Sequence, residues 1–295
     1  MDTAANGRMN GALSGWLNGF LGVLIFSGSL PATRVAVGGF DPLFLTGART
    51  ILAAALAAAL LIGTATKLPE RRDLASLAVV ALGVVVGFPL LTALALTHVT
   101  SAHSIVFIGL LPLATALFGV LRGGEKPGAV FWVFSGLGSL AVAGFALAQG
   151  FALAPLGDLM MLAAVIVCGL AYAEGAVLSR RLGGWQVICW ALVLSIPVMA
   201  PVALYAWPAT WAGITPAAWI SLGYVSLFSM LIGFVFWYRG LAQGGIAAVG
   251  QLQLLQPFFG LAIAATLLGE PVSWPMVAVT VAVVFCVAGA KRYAA

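Results

Sequence analysis

The feature that most constrains this chain is a series of apolar runs, each about as long as the ~20-residue helix that crosses a bilayer. The runs are continuous rather than alternating, which favours helices, and a backbone exposed to lipid must pair its hydrogen-bonding groups within its own segment. Only 7% of the residues are charged, whereas a soluble domain carries about 25%. The sequence therefore predicts an all-α integral membrane protein with ten transmembrane helices, at 15–37, 42–62, 74–96, 100–121, 128–149, 156–179, 186–206, 217–239, 246–268 and 273–290.

The positions of the basic residues indicate how these helices are oriented. If the N-terminus is cytoplasmic, the cytoplasmic segments hold 11 of the 13 lysines and arginines, and the outer loops hold none. Because basic residues concentrate in cytoplasmic loops, we predict a multi-pass protein of the bacterial inner membrane with both termini in the cytoplasm. The net charge of +5 then reflects orientation in the lipid bilayer, and no nucleic-acid partner is expected.

A repeat at an offset of 145 residues relates the two halves of the sequence. The segment 110–127 matches 255–271, with Pro112 on Pro257 and the following Gly-Glu pair in register. Each copy holds five predicted helices, and because five is odd, the second copy enters the membrane from the opposite side. Inverted repeats of this kind are typical of secondary transporters that work by alternating access. We therefore predict two inverted five-helix repeats around a central cavity, at residues 1–150 and 151–295.

Each repeat closes its fourth helix with the same short pattern, Pro112…Gly124-Glu125 in the first and Pro257…Gly269-Glu270-Pro271 in the second. These patterns resemble those of the drug/metabolite transporter superfamily, specifically its ten-helix EamA-type exporters. Among its members, the chain is most similar to bacterial exporters of aromatic amino acids. The resemblance implies two inverted halves, with helices one to four and six to nine lining the cavity and helices five and ten at the periphery.

The middle of the first helix differs from that of the four-helix multidrug members of the superfamily. Those proteins carry a glutamate at this depth, whereas this chain has Phe26, Ser27 and Gly28. Their proton-coupled mechanism therefore does not carry over. Phe26 and Ser27 become candidate substrate-binding residues instead.

The ninth helix carries three glutamines within the apolar run "GQLQLLQPFFG". At about 100° per residue, Gln253 and Gln256 lie close together on one face, and Gln251 lies on the opposite face. A polar group in hydrocarbon normally faces the bundle interior, so we predict that Gln253 and Gln256 bind substrate; packing between helices is the alternative. The equivalent positions of the fourth helix hold Ile108 and Leu111, which predicts a cavity that is polar on one wall and apolar on the other.

Two prolines and several aromatic residues complete the predicted cavity. Pro112 and Pro257 each free a carbonyl group one turn earlier and bend the helix, so both are candidate hinges; shaping the packing is the alternative. Aromatic side chains would bind an apolar substrate group, although packing explains any single one equally well. The aromatic candidates are Phe26, Phe88, Phe107, Tyr172, Tyr224 and Trp237.

Three charged residues lie inside predicted spans. Arg34 and Arg49 fall in the outer half of the membrane, where they could attract a substrate carboxylate, pair with Asp41 or Asp158, or extend to the interface. Glu174 could take part in transport or form an ion pair with Arg181, about 10 Å further along the same helix face.

The remaining patterns exclude other classes of function. Cysteines and histidines lack the spacing of a metal site, and no nucleophile–base pair or nucleotide-binding loop is present. We therefore predict no enzyme, no metal and no cofactor. The predicted function is secondary active export of small amphipathic metabolites, mainly amino acids including aromatic ones, by a monomer or homodimer. The alternatives are an exporter of a drug, purine or sugar and, from a different class, a channel.

Overall fold

The computed structural model describes the backbone of residues 2–95, 98, 107–148, 154–268 and 274–294. Within these ranges, side chains are described except at 2–12, 30, 34, 93, 146, 261, 264, 265, 267 and 268. The described chain is helical and contains no strand, as the continuous apolar runs predict.

Ten helices follow one another along the described chain, and five of them change their geometry on the way. The uninterrupted ones are α2 (Pro42–Gly63), α5 (Ala129–Ala148), α6 (Pro155–Leu182), α7 (Gly184–Tyr205) and α10 (Trp274–Arg292). The others are α1 (Asp2–Ser27 and Ser29–Ala36), α3 (Arg71–Val80, a π-helix at Ala81–Gly87, and Phe88–Ala95), α4 (Phe107 and Ile108, then Leu111–Gly123), α8 (Pro216–Tyr224, a π-helix at Val225–Ile232, and Gly233–Gly244) and α9 (Ile246–Gly250, a 3-10 helix at Gln251–Leu255, and Gln256–Leu268).

Seven helices in the described ranges are long and apolar enough to cross a membrane: α1, α2, α3, α6, α7, α8 and α10. The described parts of α4 and α5 are shorter apolar helices. Local sequence fixes where several helices begin. The Asp41 carboxylate accepts hydrogen bonds from the backbone amides of Leu43 and Phe44 at the start of α2, which satisfies amides that lack helical partners.

The helices pack in a pattern that agrees with an inverted repeat. Helix α1 packs against α8 and α3 against α6, which are equivalent pairs if the repeat exchanges α1 with α6 and α3 with α8. The pairs α2–α7, α4–α9 and α5–α10 each join equivalent helices of the two halves.

The departures from regular helix geometry repeat as well. At the offset of 145, the π-helix Ala81–Gly87 falls on residues 226–232, inside the second π-helix. The turn at 109–110 before Pro112 falls on 254–255, inside the 3-10 segment before Pro257. The two halves therefore share backbone irregularities as well as helix order.

The two ends of the bundle differ in chemistry. At one end, which we call the aromatic end, Phe40, Phe44, Trp207, Trp211 and Trp219 contact one another edge-on or stacked. Basic residues lie at the other end, which we call the basic end. Here Lys291 of α10 lies 4.4 Å from the centroid of the Trp16 ring on α1.

Helices α1 and α8 approach so closely that glycine is required at the contact. A Cβ atom at Gly240 would lie 2.5 Å from the backbone nitrogen of Gly19. Small residues allow this kind of backbone contact between transmembrane helices.

We expect Gly240→Ala to lower the thermal stability of the purified protein, because overpacking of a tight contact costs about 1–3 kcal/mol. Gly223→Ala is the matched control: it lies on the same helix, and a Cβ atom there meets nothing within 4 Å. Thermal denaturation in detergent measures both variants. Equal melting temperatures for Gly240→Ala and Gly223→Ala would contradict this account of the contact.

Candidate functional site

An aromatic cluster occupies the interface of α1, α6 and α8. The ring centroids of Phe26 and Phe234 are 5.0 Å apart, and those of Tyr172 and Trp237 are 5.5 Å apart. Phe26 also contacts Trp237 edge-on at 6.2 Å. All four side chains are buried. Three of them, Phe26, Tyr172 and Trp237, are residues that the sequence analysis proposed for one cavity, and the structure brings these three together.

Two polar groups beside this cluster have no hydrogen-bond partner in the described part of the chain. They are the indole Nε1 of Trp237, which is a donor, and the amide Oε1 of Gln253, which is an acceptor. The phenol of Tyr172 interacts with the side chains of Gln253, Cys168 and Tyr238. Buried polar groups are normally paired, so an open donor and an open acceptor beside an aromatic cluster are suited to an amphipathic ligand.

The other predicted aromatic and aliphatic residues lie around this centre. Leu111 is buried in the same hydrophobic core as Phe26 and Trp237, and Phe88 and Phe107 pack half-buried against it. Ile108 instead packs beside Ala95 and Met161, in a separate small cluster. Ser27 is buried and donates to the carbonyl oxygen of Val23, 2.7 Å away, so its hydroxyl group is already paired within α1.

The glutamines of α9 have only in part the orientation that the sequence predicts. Gln251 is fully buried and Gln253 is 4% exposed, whereas Gln256 is only half-buried. The prediction assumed that only one face of α9 turns towards the bundle, but the 3-10 segment Gln251–Leu255 is buried at every residue. Both faces of this segment are therefore covered by protein. Gln251 lies inside the bundle, where its Nε2 donates to the carbonyl oxygen of Ala247 at 3.4 Å.

The prolines stand at the positions expected of bends. Pro112 follows the turn at 109–110, and Pro257 follows the 3-10 segment directly. A proline cannot donate to the carbonyl four residues earlier, which for Pro257 is the carbonyl of Gln253. In the 3-10 segment, the carbonyl oxygen of Gln253 accepts from the backbone amide of Gln256 instead, so the open acceptor of Gln253 is its side-chain Oε1.

The charged candidates lie in different places. Arg49 is within α2, and its Nε is buried without a partner among the described residues. Asp41 caps the start of α2, and Asp158 accepts from the backbone nitrogen of Ala154 at 3.3 Å. The side chain of Arg34 lies outside the described residues.

Glu174 pairs with a different residue from the one considered in the sequence analysis. Its carboxylate accepts from Arg122 on α4 at 2.7 and 3.0 Å and from the hydroxyl group of Ser76 on α3 at 2.6 Å. Arg181 pairs with Asp73 on α3 instead. The expected partner, Arg181, lies on α6 itself, whereas packing brings Arg122 of α4 closer to Glu174.

Sequence reasoning missed two residues of this region, Phe234 and Tyr238, and also Thr92 of α3. Phe234 lies one helical turn before Trp237 on the same face, and the i, i+3 spacing could have identified it. Tyr238 is fully buried next to Phe234, with ring centroids 5.5 Å apart. Thr92 is the repeat equivalent of Trp237 at the offset of 145, and its Oγ1 is likewise buried without a described partner.

Comparison with known proteins agrees with this architecture. The model of the EamA-like transporter family matches residues 13–147 and again residues 155–290. The chain is 68% identical over 286 residues to the uncharacterized transporter YdeK of Bacillus subtilis (strain 168), covering 97% of this chain and all of that protein. A solved crystal structure matches with a TM-score of 0.81 at 19% identity, over 94% of this chain and 98% of that one, which shows the shared fold. The chain is a non-enzymatic membrane transporter that belongs to the EamA-like transporter family.

Proposed function

We propose that this transporter exports small amphipathic metabolites, chiefly amino acids with aromatic or other apolar side chains, by alternating access. The observation that carries the proposal is the buried aromatic cluster of Phe26, Tyr172, Phe234 and Trp237, with its open donor and open acceptor. The rings offer an apolar surface for a substrate side chain. The Trp237 Nε1–H group would donate to a carboxylate, and the Gln253 Oε1 atom would accept from an ammonium group.

The two repeats supply the proposed motion. In this proposal, residues 1–150 and 151–295 tilt relative to each other, with Pro112 and Pro257 as bending points, so that the cluster faces each side of the membrane in turn. The positive-inside distribution supports an inner-membrane protein with both termini in the cytoplasm, working as a monomer or homodimer. Under this orientation, the basic end faces the cytoplasm.

Arg49 supports a substrate that carries a carboxylate. It lies seven residues after Pro42, at the start of α2, about 10 Å from the aromatic end at the helical rise per residue. A cation within the hydrocarbon region is expensive unless it is paired or functional, and the Nε of Arg49 has no described partner. We propose that Arg49 attracts the carboxylate between the cluster and the outer surface.

Flux measurements in proteoliposomes test the transport proposal. Labelled phenylalanine should show saturable flux that is accelerated by unlabelled phenylalanine on the opposite side, because a carrier returns faster when loaded. Competition by a panel of amino acids, sugars, purines and cationic drugs identifies the substrate class. Flux that rises without saturation would indicate a channel, and competition only by a sugar, purine or drug would replace the amino-acid assignment.

We expect Gln253→Leu to raise the KM for phenylalanine about tenfold, since a hydrogen bond to a charged ligand group would be lost. Gln243→Leu is the matched control: Gln243 lies at the basic end of α8, where it accepts from Ser14 at 3.3 Å. The KM of each variant is measured from phenylalanine uptake at a series of concentrations, with equal amounts of protein in the proteoliposomes. A KM that stays unchanged in Gln253→Leu would remove this amide from the substrate site.

Arg49→Gln should weaken transport of phenylalanine by about tenfold, because a charge-assisted hydrogen bond to the carboxylate disappears. Phenylalaninamide, which lacks the carboxylate, should be transported equally by the variant and the parent protein. Arg239→Gln, an exposed arginine at the basic end, controls for the loss of one positive charge. If Arg49→Gln lost transport of phenylalanine and of phenylalaninamide equally, a role of Arg49 in binding the carboxylate would be contradicted.

A further inference from the structure

Glu125 joins the two repeats at the basic end of the bundle. It follows α4 in the first repeat, and its two carboxylate oxygens accept hydrogen bonds from the backbone amides of Ile246 and Ala247, each at 2.7 Å. Ile246 begins α9 in the second repeat. The carboxylate therefore caps a helix that is 121 residues away in sequence.

The chain is shaped locally to make this contact. Gly124 ends α4 in the left-handed conformation with φ = 68°, a conformation that glycine adopts readily at helix C-termini. This turn presents Glu125 to the start of α9, where free amides and the helix dipole favour a negative charge. Ile246 fits against Gly119 and Gly123 of α4: a Cβ atom at Gly123 would lie 2.8 Å from its Cδ1. Arg180 also approaches Glu125, at 3.3 Å.

Further ion pairs surround this contact and tie neighbouring helices together. Arg122 of α4 binds Glu174 of α6, and Arg181 of α6 binds Asp73 of α3. The Glu174 side chain is 6% exposed and that of Asp73 is 1% exposed. The basic end is therefore held by polar contacts that connect α3, α4, α6 and the start of α9.

The same helix segments carry the residues of the proposed site. Gln253 lies seven residues after Ile246 on α9, and Tyr172 lies two residues before Glu174 on α6. A displacement of the start of α9 away from α4 would therefore move Gln253 relative to the aromatic cluster.

We propose that the contact of Glu125 with the Ile246 and Ala247 amides is a latch that closes the basic end and positions Gln253 against Tyr172. When the basic end opens, α9 separates from α4 and the contact breaks. This inference rests on the proposed alternating access but not on the identity of the substrate. Glu125 acts here as a positioning residue, because it contacts the start of α9 rather than the proposed site.

Chemical labelling of Cys168 tests the latch without any substrate. Cys168 is buried one turn before Tyr172, with which its side chain interacts, so a reagent reaches it only when the bundle opens. Cys189→Ala and Cys286→Ala leave it as the single thiol. In inside-out vesicles, where the basic end faces the reagent under the proposed orientation, Glu125→Gln should raise the rate of labelling by a membrane-impermeant thiol reagent about tenfold. The physical reason is the loss of two charge-assisted hydrogen bonds from the closed state alone.

A second variant removes the donor instead of the acceptor. Ile246→Pro deletes the amide that binds Glu125 at the first helical position, where proline is tolerated, and should also raise the labelling rate. Ile246→Ala keeps the amide but loses the same side-chain packing. The amount by which Cys168 is labelled faster in Ile246→Pro than in Ile246→Ala therefore measures the effect of the latch. If Glu125→Gln is not recovered as monodisperse protein, this pair carries the test.

The remaining controls separate the latch from general effects of charge and from the transport proposal. Glu70→Gln changes an exposed carboxylate at the same end, which pairs with Arg72, and should leave the rate unchanged. Lys126→Cys, on the loop beside Glu125, should be labelled in the same vesicles and so confirms their orientation. A rate in Glu125→Gln equal to that of the parent or of Glu70→Gln would overturn the latch. If the parent protein shows no phenylalanine flux but Cys168 is labelled faster in Glu125→Gln, the substrate assignment is overturned and the latch proposal still holds.

Discussion

The structure depends on one constraint: a backbone in lipid has no water to bond with, so its amides and carbonyls must find partners within the protein. Regular helices meet this constraint by themselves, and departures from them are tolerated only where other helices cover the chain. The break in α1 after Ser27 follows this rule, because the Tyr224 hydroxyl donates to the carbonyl oxygen of Ile25 at 2.8 Å. The 3-10 segment Gln251–Leu255 is buried at every residue. These two irregular segments thus lie inside the bundle, next to the aromatic cluster, where the open side-chain Oε1 of Gln253 can meet a ligand.

The inverted repeat duplicates this backbone but not its chemistry. Both repeats have a π-helix and a distorted segment before a proline at equivalent positions, and such irregular segments bend more readily than regular helix. The side chains at equivalent positions nevertheless differ: Trp237 matches Thr92, Tyr172 matches Ser27, and Gln253 matches Ile108. Three of the four rings (Tyr172, Phe234 and Trp237) and the amide come from the second repeat, whereas the first contributes the Phe26 ring. We interpret the shared backbone as the basis of motion and the unequal side chains as the basis of recognition, since an amphipathic ligand needs two unlike walls.

The sequence predicts the fold better than the contacts, and the reason is physical. Helix positions follow from the long apolar runs, because lipid imposes the same requirement on every span. The burial of Gln251 on α9 could not be predicted, because packing covers every residue of the 3-10 segment and not one face alone. The partner of Glu174 is Arg122, 52 residues away, and only the packing of α4 on α6 brings them together. Residue type and depth in the membrane suffice to propose Phe26, Tyr172 and Trp237 for one cavity, whereas their exact partners depend on tertiary packing.

The Gly-Glu pattern of the first repeat is best understood as a contact between repeats. In the first repeat, Gly124 turns the chain and Glu125 caps α9, so the pattern acts on the helix opposite rather than on a ligand. The strength of such a contact suits a reversible latch. Hydrogen bonds to charged groups contribute about 1.5–3 kcal/mol each, and shifting a two-state equilibrium from about 1:99 to about 99:1 takes about 5.5 kcal/mol. The combined free energy of the two Glu125 hydrogen bonds is therefore comparable to the free energy of such a shift. At the membrane surface, water can replace these hydrogen bonds once they break. A carboxylate buried in the middle of the bundle would hold α9 more tightly but would be costly to release, which explains why the capping residue lies at the end of the helices.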